Sequence, residues 1–530
     1  MAIVVKLSEL SPPQIEKIQT ELKVHEKPNF FGAKNFYQNK NNFKDDVDLT
    51  IFHGDYVRIP YNFAVQLLGY NPQINIWKDH YSYPLKFTGQ LRDYQQEICV
   101  EAGKHLNEYC TTILNVFASA GKTIMATYLA TRCDYLRLII YPGIDLGKQW
   151  AKTIKDFTYC LSTNNGPARI WMVGEGKVPT EPVDFVLCPI TRIDKIDPKF
   201  LSMVGMLIID EFHLMYTQIR VRELLKISPK YIIGCTATLG VKKEIAHLFC
   251  GPKYVFMKST KPFTVYKFYT GITMDEKLNK SGTLDWPEFL KKQITNPIRN
   301  EQIIGLCVTN PQKKICLMGW RKEHALDMAA KLKNMNEKVD IMIGSKREYE
   351  DSRILCGTIS KIGTGFDEAN ACADFDGTRI NLLIMTGTMK NEVLIEQTAG
   401  RCFRAEFPSI IYLVDNNSIS HKHWEVAEDW FISRNGTVKE IYSKFAQANL
   451  AYLIPLKTRR KKKEEIENGI VKIWDGKRLG GYTKKDKYNK KDTAEIRNVS
   501  LEEHGIKTLV SSSEADAIKQ MLEDTALMGY

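Results

Sequence analysis

The residues of this 530-residue chain best suited to chemistry are the triplet Gly121-Lys122-Thr123, the adjacent pair Asp210-Glu211, and Gln397 followed by Arg401 and Arg404. The triplet lies where an apolar run, TTILNVFA, gives way to the helical stretch IMATYLATR. Such a junction offers a nucleotide phosphate the backbone N–H groups of a helix N-terminus, one ammonium, and one hydroxyl for a divalent cation. Lys122 is expected at the β- and γ-phosphates and Thr123 at Mg2+, with Ser119 and Ala120 lining the loop. The glycine usual in such loops is missing, because the two places it could occupy hold Val116 and Ser119. Asp210 and Glu211 follow the run Leu207-Ile208-Ile209 and should emerge at the carboxyl edge of a sheet, where open α/β folds bind ligands. There Asp210 can hold Mg2+, directly or through water, while Glu211 orients and deprotonates an attacking water. Each motif alone has a plainer reading, since GKT recurs by chance and an isolated acid pair more often caps a helix. Finding the pair in register, 88 residues after Lys122, favours the joint one. Arg401 and Arg404 are expected near one helix face with Gln397, where guanidinium groups stabilise charge developing on a γ-phosphate.

The elements that must position these groups are legible as apolar runs. TTILNVFA, LRLIIYP, DFVLCP, GMLIID and KYIIGCTA are separated by helix-length segments, the pattern of buried parallel strands in an α/β sheet. The pattern weakens over 259–300 and resumes with KKICLMG, KVDIMIG, RILCGTIS, RINLLIM and SIIYLVD. Two successive parallel sheets follow, over residues 87–258 and 301–455, joined by a bridging segment at 259–300. Residues 1–86 read as an accessory domain with a helix at PPQIEKIQTELK, then a short hairpin and helix at FHGDYVRIPYNFAVQLLGY. Residues 456–530 form a basic extension ending in a short helix.

Composition sets the outer limits. With 44% hydrophobic and 26% charged residues the chain is an ordinary globular protein, not a fibrous or wholly disordered one. Between Lys457 and Lys491 fourteen basic residues face five acidic ones, nine of the twelve surplus positive charges. A cationic tail without an apolar face suits nucleic acid better than a membrane, unless it is merely a solvated tail. Tyr482, Tyr488 and Trp474, interleaved with the charges, could stack on bases; the segment could equally tether a protein partner. All twelve cysteines fall between Cys99 and Cys402, with no CxxC, and read as reduced core residues in a cytosol-like compartment. No run is long enough for a membrane span, and MAIVVKLSELS is too short for a signal peptide, so secretion is not expected.

The ordered motifs resemble those of superfamily 2 helicases and translocases, whose fold is a pair of tandem RecA-like α/β domains. Leu91-Arg92-Asp93-Tyr94-Gln95 resembles the LRxYQ signature, which implies that Gln95 reads the adenine edge. Tyr141-Pro142-Gly143 through Gln149-Trp150 looks like the motif that holds the nucleic-acid backbone, a role implied also for Arg192 and Thr358. Asp210-Glu211-Phe212-His213 is similar to a DExH box, and Cys235-Thr236-Ala237-Thr238 to the motif linking ATP state to strand grip, with Thr236 and Thr238 as coupling residues. Ile362-Gly363-Thr364-Gly365-Phe366-Asp367 resembles GxGxD, placing Gly365 and Asp367 at the nucleotide, and Gln397 to Arg404 matches QxxGRxxR. The resemblance implies ATP and Mg2+ as cofactors and a motor in which ATP lies between the two sheets. LRDYQ and DEFH are nearer the XPB and phage recombination-helicase group than the DEAD-box group, and a similar serine-alanine loop occurs there. ILCGTISKIGTGFDEA and KNEVLIEQTAGRCFRAE are most similar to the poxvirus-type late-transcription helicase of large cytoplasmic DNA viruses. That implies DNA ahead of RNA as partner, viral transcription machinery as a second partner, a role in transcript release or DNA maintenance, and a place in the viral factory or the virion. Two other readings stay open: an ATP-binding adaptor of a transcription complex, which Ser119 favours, and the motor subunit of a restriction-type nuclease.

Overall fold

The computed structural model describes residues 1–24, 47–72, 84–161, 166–239 and 243–448, apart from 252, 260, 280, 281, 283, 364 and 365. The basic extension, its expected helix and Gly365 therefore lie outside the described residues. The chain forms two units that divide between Met257 and Lys258.

In the first unit the N-terminal residues build β1 (Ala2–Lys6), α1 (Pro12–Glu21), β2 (Ile51–His53), β3 (Tyr56–Pro60) and α2 (Tyr61–Leu68). Pro12 and Pro13 start α1, and Ser11 and Gln14 close it with a reciprocal capping box. The antiparallel sheet β1-β3-β2 and α2 supply the hairpin and helix expected there. They do not form a separate domain. Ile3, Val5, Val57, Ile59, Tyr61 and Phe63 are buried in one cluster with Ile113 and Leu138 of the sheet that follows and with Val221 and Phe249 of the helices Gln218–Leu225 and Lys243–Cys250. Three short strands and two helices are too small to enclose a core, so they share one.

After α3 (Asp93–Tyr109), the first large sheet comprises β4 (Thr111–Val116), β5 (Leu136–Tyr141), β6 (Ile170–Met172), β7 (Phe185–Pro189), β8 (Val204–Ile209), β9 (Tyr231–Thr236) and β10 (Val255–Met257). The order is β6-β7-β5-β8-β9-β4-β10, parallel throughout. β4, β5, β7 and β8 are buried along their whole length, the reason they read as largely apolar runs. Because β5, β8, β9 and β4 are neighbours running the same way, the loops after them meet at one carboxyl edge. α4 (Lys122–Ala130) follows β4, and α5 (Ile144–Phe157) follows β5.

The second unit repeats the plan with β11 (Phe263–Thr273), β12 (Ile315–Gly319), β13 (Val339–Met342), β14 (Ile354–Thr358), β15 (Leu382–Met385), β16 (Ser409–Asn416) and β17 (Gly436–Tyr442). Its order is β13-β14-β12-β15-β16-β11-β17, again all parallel. Residues 259–300, expected as a bridge, instead supply β11, held between β16 and β17, and the helix Trp286–Thr295. Polar residues masked this strand: Lys267 is buried within it and donates to Glu440 of β17 at 2.9 Å. All twelve cysteines are free, and all but Cys133 are buried. Among the described residues no helix is long and apolar enough to cross a membrane.

Candidate nucleotide site

The loop between β4 and α4 turns twice through the left-handed region, at Ser119 (φ 72°) and at Gly121 (φ 86°). Ser119 therefore sits in a backbone conformation that glycine adopts without penalty and other residues adopt at a cost of roughly 1–2 kcal/mol. Gly121 has a second constraint, since a Cβ there would fall 2.5 Å from Gln95 Nε2. Gln95, buried in the first turn of α3, donates to the Ala120 carbonyl at 2.8 Å and accepts from the Arg92 amide at 3.0 Å. Tyr94 donates to the same carbonyl at 3.2 Å. The side chain expected at the adenine edge is thus, in this structure, a latch on the phosphate loop. Lys122 opens α4 and reaches the Val116 carbonyl only at 3.4 Å, while Thr123 takes the next position in the same first turn.

Asp210 extends the ladder one residue past β8, its amide donating to Ile140 at 2.8 Å. Both carboxylate oxygens are held: Oδ1 accepts the Glu211 amide and Oδ2 accepts the Trp150 indole N–H, each at 2.9 Å. Burial first, and then the Glu211 charge, push Asp210 up to about 6, against the pull of the Trp150 bond and of Lys122. Glu211 takes a left-handed backbone (φ 48°), and its Oε2 is buried with no hydrogen-bond partner. His213 Nδ1 lies 2.9 Å from Thr236 Oγ1 and 3.5 Å from Glu211 Oε2. Burial, and next the Lys122 charge, lower His213 to about 4, so the ring is neutral at neutral pH. Thr236 donates in turn to the Thr238 carbonyl and accepts the Thr238 amide at 3.3 Å. The expected coupling threonines, the acid pair and Lys122 are therefore gathered at one sheet edge. A hydroxyl, a fixed carboxylate and an unsatisfied carboxylate oxygen are hard oxygen donors that fit Mg2+ and an activated water.

The backbone-holding candidates are less uniform. Pro142 and Gly143 form the turn between β5 and α5, with Gly143 exposed. Arg192 donates to Val173 at 3.1 Å and lies against Gly174, bracing that turn. Thr358 is buried, with its hydroxyl 3.2 Å from Ser360 Oγ.

In the second unit the arginines are not on a helix face as expected. The helix Glu392–Ala399 carries the buried Gln397 but stops at Gly400, and Arg401 and Arg404 fall in the turns beyond it. Arg401 grips backbone carbonyls, donating to Gln397 at 3.1 Å, to Gly363 at 2.8 Å, and to Phe366. Arg404 pairs with Asp367 at 2.7 Å, whose other oxygen caps the helix Glu368–Ala371. Sequence reasoning set Trp150 at the end of the backbone-holding motif and His213 in the DExH-like box but gave neither side chain a task of its own. A buried indole on a helix otherwise facing apolar neighbours needs an acceptor, which was the available signal.

Two parallel α/β sheets, the first bearing a Gly-Lys-Thr loop and an acid pair at its carboxyl edge, are the arrangement expected of an ATP-driven motor of nucleic acid. The profile of the family described as type III restriction enzyme, res subunit, matches residues 88–241. The chain is 32% identical to the putative helicase 109L of invertebrate iridescent virus 3, over 42% of this chain and 70% of that protein. It is 25% identical to the putative helicase 161L of invertebrate iridescent virus 6, over 83% of this chain and 99% of that one. It is also 25% identical to the DNA 3′-5′ translocase XPB2 of Sulfurisphaera tokodaii, over 53% of this chain and 64% of that one. The chain belongs to the superfamily 2 helicases, in the family of these viral helicases, and is an ATP-dependent nucleic-acid helicase or translocase.

Proposed function

We propose that this motor acts on DNA, with ATP and Mg2+, in viral transcript release or DNA maintenance. The backbone of Ser119, Ala120 and Gly121 cradles the phosphates, Lys122 neutralises them, and Thr123 and Asp210 hold Mg2+, which when bound would draw charge from the β- and γ-oxygens. Glu211 takes the proton of the attacking water. The observation that supports this role is its buried Oε2, left without a hydrogen-bond partner next to a carboxylate whose own oxygens are already held.

In the second unit, Gln397, Arg401 and Arg404 are the proposed catalytic residues, with Gly365 and Asp367 the proposed nucleotide-binding ones. Asp367 would have to release Arg404 for that. Pro142, Gly143, Arg192 and Thr358 contact the nucleic-acid backbone, and Thr236 and Thr238 report the state of the acid pair through His213. A relative named as a DNA translocase supports DNA as the track. The viral relatives support a viral role, and the place proposed for it is the viral factory or the virion.

The test is steady-state ATP hydrolysis with single- or double-stranded DNA or with RNA, for wild type and Glu211→Gln. DNA should stimulate the wild type several-fold, and the substitution should lower kcat by about 10²–10⁴, the range of a lost general base. Stimulation by RNA alone would overturn DNA as the track. The strained Ser119 favours a second reading, an adaptor that uses ATP as a conformational ligand. Equal, unstimulated rates in both proteins would select it.

A further inference from the structure

Trp150 is 1% exposed on α5, on the face that also buries Leu146, Ala151 and Ile154 against the sheet. Any large apolar residue could fill that volume. An indole adds one N–H, which must find an acceptor when buried. Its acceptor is Asp210 Oδ2 at 2.9 Å, while the other carboxylate oxygen takes the Glu211 amide at the same distance. Donors to ionised carboxylates bind about twice as strongly as neutral pairs, and one donor on each oxygen fixes the plane of the group. Only the lone pairs turned away from the indole and the amide remain for another ligand. The donor's helix begins directly after Pro142 and Gly143, the turn assigned to the nucleic-acid backbone.

We propose that Trp150 is a positioning residue: its indole N–H presents the Asp210 carboxylate to the nucleotide's divalent cation and ties that carboxylate to the helix that starts at the strand-holding turn. The proposal rests on the reading that Asp210 holds Mg2+. A shift of α5 when nucleic acid binds moves Trp150, and with it the carboxylate. The coupling thus lies within the first unit, separate from the His213–Thr236 contact.

The test uses the full chain and equilibrium binding of a non-hydrolysable fluorescent ATP analogue, titrated in Mg2+ and in EDTA. Trp150→Phe keeps the ring but lacks the donor. It should lose about tenfold of the affinity that Mg2+ adds and leave binding in EDTA within about twofold, the behaviour of a lost outer partner of a metal ligand. Trp150→His, smaller but with a ring N–H, should recover part of the loss, whereas a packing role would rank it below phenylalanine. If Trp150→Phe fails to fold, as judged by thermal melting, Trp150→Met fills the space without a donor and carries the same expectation. Asp210→Asn separates the two failures. If it keeps the Mg2+ gain, the metal role of Asp210 falls and this proposal falls with it. If Asp210→Asn loses the gain while Trp150→Phe keeps it, or if histidine does no better than phenylalanine, only the role of Trp150 is overturned.

Discussion

Ser119 shows how one residue can hold a demanding conformation without being the residue best suited to it. Its φ of 72° is strained for a side chain, yet a serine is small and has no branch of carbons at Cβ. Ser119→Gly should therefore be tolerated, with thermal stability near that of the wild type and ATP turnover no lower. Ser119→Val should cost about 1–3 kcal/mol of stability, as a β-branched residue in the left-handed region. Melting curves with parallel ATPase assays check both. A glycine variant that loses turnover would mean that the hydroxyl, not the backbone, is what the loop requires.

At the scale of elements, the turn after the helix Glu392–Ala399 carries two arginines with different duties. Arg401 spends its guanidinium on the carbonyls of Gly363 and Phe366. Arg404 makes a partly exposed ion pair with Asp367. Removing the first leaves buried acceptors unpaired, at about 1–3 kcal/mol. Breaking the second costs about 0–1 kcal/mol. Arg401→Ala should lower both the melting temperature and ATPase activity, whereas Arg404→Ala should lower activity with the melting temperature nearly unchanged. Equal melting shifts in the two variants would contradict this division. The lattice of strands had its own surprise in β11, which the apolar pattern missed because a lysine and tyrosines occupy it. A cation buried beside Glu440 and over the Tyr269 ring does not look buried in a linear reading.

At the scale of the whole molecule, both units depend on neutral buried histidines. Burial depresses His213, His247 and His423 to about 4 and His324 to about 3. His105 and His421 are lowered for the same first reason. In the unfolded chain these rings take up protons below about pH 6.5, whereas in the folded chain they resist. Their contribution is thus fully present above pH 6.5 and is lost as pH falls toward 4, by up to about 1.4 kcal/mol per pH unit for each ring. Urea unfolding between pH 7.5 and 5 should show a falling midpoint. A flat midpoint across that window would mean that the rings take up protons as readily in the fold as in the unfolded chain.

What the sequence determined by itself was the local logic: ten apolar runs that became strands, a GKT at a strand-to-helix junction, and two acids at a strand end. These are legible because side chains buried on both faces of a parallel sheet are apolar without interruption, and because a phosphate loop is contiguous in the chain. Tertiary structure alone decided which distant groups meet. Gln95 latches Ala120, Trp150 holds Asp210, His213 reaches Thr236, and Arg401 braces a turn more than thirty positions earlier. A hydrogen bond needs a few ångströms and a direction, and spacing along the chain specifies neither once the partners lie on different elements.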